Sequence, residues 1–277
     1  MESAYKRLLG QIDTGEEKIA LEAMQHAWLK DRDEICVSKG DVCLVRMNTQ
    51  RRYLLEGRTI EGSKSLAPVR LYSTYQAGDK AKAELSATRI KFTAPRTAAQ
   101  AAFNRFMDKQ LEWAVGTIKG ATPANGEEYF SSMVSELNYA SDGLLSASVG
   151  GSYFVGQFHP EPWGRSINLD ARTGRTFRFG DLMQAGNANR LFAMCLKQVN
   201  EKKSKLWKDP KSADVTFQAV AQSTADLGNW KFLSQGAMVE YSLYDFGGYG
   251  QCNCSCDVPY AALRPLAKKS FPLPSEK

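Results

Sequence analysis

The chain has 277 residues, 43% of them hydrophobic, 10% aromatic and 24% charged. That is enough for one large or two ordinary domains and close to the average of folded proteins, so a disulfide-only miniprotein, a disordered chain, collagen and coiled coil are excluded. The net charge is +6, and because residues 1–60 balance ten basic against ten acidic residues, the excess lies in the remainder, 26 against 20. This is too thin for the dense basic face of a nucleic-acid binder.

No apolar run approaches the roughly 20 residues that cross a bilayer, so no membrane span is expected. The opening MESAYKRLLGQID carries no apolar block of the signal-peptide kind.

Residues 1–58 read as helix. Thr14 with Glu17 three positions later has the form of a capping box and opens a run in which Ile19, Ala20, Ala23, Met24, Ala27 and Trp28 recur at helical spacing. Ser38-Lys39-Gly40-Asp41 stops this helix and starts another, carrying Cys43, Leu44, Met47, Leu54 and Leu55, so an antiparallel hairpin is expected. Cys36 ends one helix and Cys43 begins the next, where a disulfide would staple the turn if the Cα atoms approach within about 7 Å.

Residues 59–79 are punctuated by Gly62, Ser63, Ser65, Pro68 and Gly78 and read as a linker, with one short apolar piece at Val69–Tyr72. Gly57 and Gly62 have the separation of a phosphate-binding loop, but Ser63 precedes Lys64 and no strand leads in, so nucleotide binding is not expected.

Residues 80–277 mix strands and helices. Strands are predicted over 81–94, 129–139, 144–158 and 165–170, with a helix from Thr97 to about Lys119. A hairpin is predicted turning at Thr173-Gly174 and returning over Thr176–Phe179. A helix over Asn187–Asn200, two strands within 230–246 turning at Gln235-Gly236, and a closing helix begun by Pro259 complete the pattern. The expected fold class is α+β: an N-terminal helical hairpin followed by a mainly antiparallel sheet domain with packed helices.

Six cysteines fall as the pair Cys36 and Cys43, the single Cys195, and the cluster Cys252, Cys254 and Cys256. An even number with local pairing points to an oxidising compartment. Cys195 with the alternating run could instead offer four thiolates to zinc, but zinc sites favour CxxC knuckles, so no metal is expected. Three connectivities remain open for the last four.

Chemistry is sparse. The two histidines are His26 in the hairpin and His159 in FHPEPWG, and no HExxH, GxSxG or kinase-type set is present. A non-enzymatic protein without cofactor is therefore expected.

Two segments resemble known families. Trp28, Arg32, Cys36, Cys43 and Leu44, in AWLKDRDEIC followed by CLVRMNTQRRYLLE, resemble the N-terminal domain of LprI-type lysozyme inhibitors. Four-residue spacing stacks Trp28, Arg32 and Cys36 on one helix face, where a structural role is expected for Trp28 and Arg32. The run GGSYFVGQFHPEPWGRSINLDARTGRTFRFGDLM, then MVEYSLYDFGGYGQC with VPYAALRPL, resembles the C-terminal domain shared by RsiV-type anti-sigma factors and PdaC-type deacetylases. Gly156, Gln157, Phe158 and His159 stand where that family has Gly-Gly-Ala-His, and Asp170, Thr173 and Gly174 match its Asp-x-x-Thr-Gly turn.

The two resemblances imply a protein of the periplasm or cell envelope that binds and inhibits a peptidoglycan-degrading enzyme, its leader trimmed ahead of Met1. The alternative is a peptidoglycan-binding or wall-modifying accessory protein. Because animal-type lysozymes are basic and this chain is at +6, the expected partner is a bacterial hydrolase or secreted effector, against which the chain would serve as an immunity protein. The expected contact residues lie on two rigid loops, His159, Glu161 and Trp163 on one and Tyr244, Asp245 and Tyr249 on the other.

Overall fold

In the computed structural model, residues 1–63, 68–76, 83–119, 128–206, 215–242, 245–246 and 254–275 are described. Among them the fold is mixed α+β. In chain order the elements are α1 (Glu2–Leu9), α2 (Gly15–Cys36), α3 (Gly40–Leu55), β1 (Val69–Gln76), β2 (Ala83–Phe92), α4 (Ala98–Ile118), β3 (Tyr129–Ala140), β4 (Leu144–Phe154) and β5 (Glu161–Asp170). There follow α5 (Phe179–Leu182), α6 (Ala188–Leu206), α7 (Phe217–Thr224), β6 (Trp230–Phe232), β7 (Gly236–Glu240), β8 (Ser255–Pro259) and α8 (Tyr260–Leu263). One sheet has the order β1-β2-β3-β4-β5 and the other β6-β7-β8.

The chain forms two compact units. The first comprises Met1–Arg96, Gln100–Leu137 and Val149–Trp163, the second Thr97–Ala99, Asn138–Ser148 and Gly164–Lys277.

In the first unit, the Thr14 hydroxyl caps α2 by accepting from the Glu17 N–H at 3.3 Å. The reciprocal half expected of Glu17 is replaced by an ion pair, its carboxylate meeting Arg70 of β1 at 3.0 Å with both side chains largely shielded. The Cys36–Cys43 disulfide closes the α2–α3 turn at a Cα separation of 5.5 Å, and Gly40, at φ +66°, supplies the left-handed residue with which α3 begins. Arg32 does not cross to a carboxylate of the other helix. It pairs with adjacent Asp33 at 2.6 Å and donates to the Asn48 side chain at 3.2 Å.

Residues 59–79, expected as a linker, contain β1. Its register against antiparallel β2 runs from Val69↔Phe92 to Gln76↔Leu85. The apolar piece at Val69–Tyr72 continues through Ser73, Thr74 and Tyr75, residue types suited to a pleated surface, and the neighbouring glycines and serines hid that continuity. β2 pairs in parallel with β3, Ala83↔Tyr129 to Thr88↔Val134, so this sheet is mixed, while β1–β2, β6–β7 and β7–β8 pair antiparallel as the expected fold class requires. Parallel neighbours need a long crossover, and α4 lies within it, burying Phe103, Met107, Ala114 and Ile118.

The core of the second unit centres on Trp230, Phe232 and Tyr260, all at most 1% exposed. Each buried polar atom on these rings is satisfied: the Trp230 indole N–H donates to the Thr224 carbonyl at 2.8 Å and the Tyr260 hydroxyl to the Leu233 carbonyl at 2.6 Å. Cys195 of α6 is bonded to Cys256 of β8, which selects one set from the open connectivities. Cys254 is also disulfide-bonded, and Cys252 lies outside the described residues.

One local expectation is corrected. The return strand over Thr176–Phe179 is reduced to a single bridge, Leu169↔Thr176. The Asp181 carboxylate accepts from the Arg178 N–H at 2.7 Å and turns the chain into α5 instead. Helix α7, capped by Thr216, and strand β8 were not anticipated.

The Cys36–Cys43 and Cys195–Cys256 disulfides are expected to contribute unequally, because their sequence separations are 7 and 61 residues. Loop-closure entropy assigns about 2.5 kcal/mol to the short loop and about 4 kcal/mol to the long one. Urea unfolding of the Cys36→Ser/Cys43→Ser and Cys195→Ala/Cys256→Ala variants should show the larger loss in the second.

Candidate functional site

Of the expected contact residues, His159, Glu161 and Trp163 share one loop of the first unit, running from the end of β4 into β5. The loop is braced at its base. Gly156 sits at φ +92°, and the Gln157 side chain accepts from the Val155 N–H at 2.6 Å while donating to the Tyr153 carbonyl at 3.3 Å. On the far side, His159 Nδ1 lies 3.5 Å from the Glu161 carboxylate.

Between these braces Phe158 projects with its side chain fully in water, 102% exposed, its ring meeting His159 edge-on at 6.2 Å. Phe158 stood inside the quoted motif, but nothing in a single sequence distinguishes a ring that folds inward from one held outward.

Trp163 is placed differently. Its ring packs at 4.5 Å on Trp113 of α4, which in turn meets Tyr153 at 5.7 Å, and it rests against the apolar cluster around Leu85, Met133 and Ala114. It anchors the loop to the sheet.

Asp245 belongs to the second unit. Its carboxylate accepts from the Ser242 N–H at 3.0 Å and its own N–H donates to the Ser242 carbonyl at 3.1 Å, the bonding of a tight turn. Tyr244 and Tyr249 lie outside the described residues.

A second apolar surface surrounds the Cys36–Cys43 staple: Ile35, Val37, Val42 and Val45 are 47%, 84%, 83% and 65% exposed. Trp28, expected to be structural, lies between two guanidinium groups, those of Arg32 and Arg51, each 5.5 Å from its ring centre. The first unit also holds an open cleft of ≈ 520 Å³ bordered by Glu16, Ile19, Tyr72, Thr74 and Arg89, and a smaller cavity of ≈ 170 Å³ beneath α3.

The Asp-x-x-Thr-Gly turn is a structural device in the second unit. The Asp170 carboxylate accepts from the Arg172 N–H at 2.9 Å, and the Gly174 N–H donates to the Asp170 carbonyl at 2.8 Å. At Gly174, φ +74°, an added Cβ would lie 2.7 Å from the Ala98 carbonyl carbon, so only glycine fits. Burial raises the pKa of Asp170, but the N–H groups of Arg172 and Thr173, the Thr173 hydroxyl and the Arg172 guanidinium outweigh it and hold the carboxyl below its ordinary range. Asp181 is held low chiefly by the Arg175 guanidinium at 2.8 Å and by the Arg178 N–H.

Among the described residues, no group of three or more His, Cys, Asp or Glu side chains is placed to hold a metal ion, and no helix is long and apolar enough to cross a membrane.

No protein-family model matches the chain, and no curated protein matches it. Solved structures resemble it in fold, among them two of the DUF3298 family. One is a DUF3298 family protein from Pseudomonas aeruginosa PAO1, 13% identical, covering 76% of this chain and 98% of its own, with a TM-score of 0.52. The other is a DUF3298 member from Bacteroides fragilis NCTC 9343, 14% identical, covering 76% of this chain and 97% of its own, also at 0.52. At these identities the likeness is one of architecture.

Two outcomes are expected. Because both folded-state carboxyl pKa values are depressed, their contribution is complete above the unfolded value of about 4 and is lost as pH falls through the folded values; Asp170→Asn/Asp181→Asn should flatten the acid limb of a stability–pH curve. Separately, Gly156→Ala should cost about 1 kcal/mol in urea unfolding, since an alanine there is strained at φ +92° and its Cβ would lie 2.8 Å from the Tyr129 hydroxyl.

Proposed function

We propose that the protein is a non-catalytic binder of the cell envelope that blocks a peptidoglycan-degrading enzyme by seating the Gly156–Pro160 loop in the glycan cleft of its target. The observation that carries this reading is Phe158, 102% exposed at the tip of a turn braced on both sides. A turn braced before binding loses little backbone entropy on docking, and the aromatic ring it presents fills a sugar subsite by its flat face. The paired His159 and Glu161 offer polar groups at the rim of the same loop.

Further support comes from redox state and sequence. The Cys36–Cys43 and Cys195–Cys256 disulfides fit a secreted or envelope protein. The hairpin resembles LprI-type inhibitors in the residues around its staple, and the second segment resembles RsiV- and PdaC-type C-terminal domains. The net charge of +6 favours a bacterial hydrolase or effector over a basic animal lysozyme, and the reading is that of an immunity protein. The exposed aliphatic residues about the Cys36–Cys43 turn define a rival contact surface, so the test compares the two.

Purified sacculi are incubated with the hydrolase encoded beside this protein's gene, with and without the protein. Protection is expected with the wild type and with the Val37→Ser/Val42→Ser variant, whereas Phe158→Ala should weaken the complex by about thirtyfold. Retained affinity in Phe158→Ala with loss in the valine variant would move the contact to the hairpin. Clearing of sacculi by the protein alone, or their capture by it without a partner, would refute inhibition.

A further inference from the structure

We propose that the cavity bounded by α2, α3, β2 and β3 is a binding site for a small organic monocarboxylate, anchored on the guanidinium of Arg51. This site is independent of the Phe158 loop and of the reading built on it.

Arg51 is 5% exposed. Its Nε donates to the Gln25 side-chain oxygen at 3.1 Å, its guanidinium lies over the Trp28 ring at 5.5 Å, and its Nη2 is buried with no hydrogen-bond partner. Gln25, itself 4% exposed, is neutral. No carboxylate among the described residues pairs with Arg51; Tyr5 is the one ionisable neighbour that acts on it, and burial pulls its pKa down to about 10. The group therefore stays cationic at neutral pH. A buried cation without a counter-ion is strongly disfavoured, and Arg is almost never fully buried unless paired.

The cavity that Arg51 lines supplies the place for the missing charge. Its other ionic residues are already engaged: Arg58 pairs with Glu56 at 2.8 Å and donates to the Gly62 carbonyl at 3.1 Å, and Glu136 has an interaction of its own. Among the described residues the Arg51 guanidinium is thus a buried cation with no carboxylate partner, which favours an anionic ligand. A guanidinium fork matches the planar carboxylate.

The volume of ≈ 170 Å³ exceeds the space of one or two waters and falls short of pockets that take drug-sized ligands. The walls include Trp28, Met47, Leu54, Ile90 and Leu137, so the ligand's remaining atoms are apolar.

The probes are sodium benzoate and its neutral isostere benzamide, read by thermal unfolding and calorimetric titration of the full chain at constant ionic strength. Benzoate should raise Tm in a saturable way, whereas benzamide should bind at least tenfold more weakly. Arg51→Met should abolish the benzoate response and, without ligand, unfold at or above the wild-type temperature, because it removes an uncompensated buried charge. Arg51→Lys, which keeps the charge without the fork, should retain a weaker response. Equal responses to benzoate and benzamide, no benzoate response in the wild type, or an undiminished one in Arg51→Met would overturn the proposal. If Arg51→Met does not fold, the benzoate–benzamide contrast in the wild type and in Arg51→Lys decides.

Discussion

The parallel pairing of β2 with β3 is the constraint on which the first unit depends. Two strands running the same way cannot be joined by a tight turn, so the chain between them must travel the length of the sheet and return, and α4 is placed on that path. The helix answers by burying Phe103, Met107, Ala114 and Ile118. Trp113, on the same helix, then becomes the platform on which Trp163 rests. The loop that carries Phe158 thereby gains a firm base, because a crossover helix lies alongside it.

The same unit contains a helix cap diverted to tertiary structure. Glu17 occupies the capping-box position, yet its carboxylate serves Arg70 of the edge strand β1. Thr14 alone satisfies the helix end. A local motif is therefore half local and half long-range, and the ion pair ties the start of α2 to a strand more than fifty residues away.

How much of this could be read from sequence depended on whether the signal was local. The Cys36–Cys43 hairpin, the strands beginning near 83, 129 and 144, the helix after Thr97 and the Pro259 helix start were legible because caps, glycines, prolines and period-two patterning act within a few residues. β1 was obscured because its second half, Ser73-Thr74-Tyr75-Gln76, lacks an apolar run and is held by pairing with β2. β8 escaped because it is only five residues long and follows directly on a cysteine cluster, although Cys256 and Val258 alternate with outward Ser255 and Asp257; its place is set by β7 and α6. At the candidate site, the braces His159 and Glu161 and the ring of Trp163 were legible as residue types, but the outward direction of Phe158 and the unmatched charge of Arg51 arise from packing between segments far apart in sequence.

β8 carries a further lesson. Its inner edge pairs with β7, and the Gln198 side-chain amide treats its outer edge as a second strand would, donating to the Asp257 carbonyl at 2.8 Å and accepting from the Asp257 N–H at 2.9 Å. Lys202 adds a bond to the Ser255 carbonyl at 2.8 Å, one turn further along α6, and Cys195 fixes that helix to Cys256. An amide and an ammonium thus stand where another polypeptide would otherwise zip on, leaving the strand closed to intermolecular sheet growth. Reducing the Cys195–Cys256 bond would leave this shield on α6 without its covalent tether, coupling redox state to self-association.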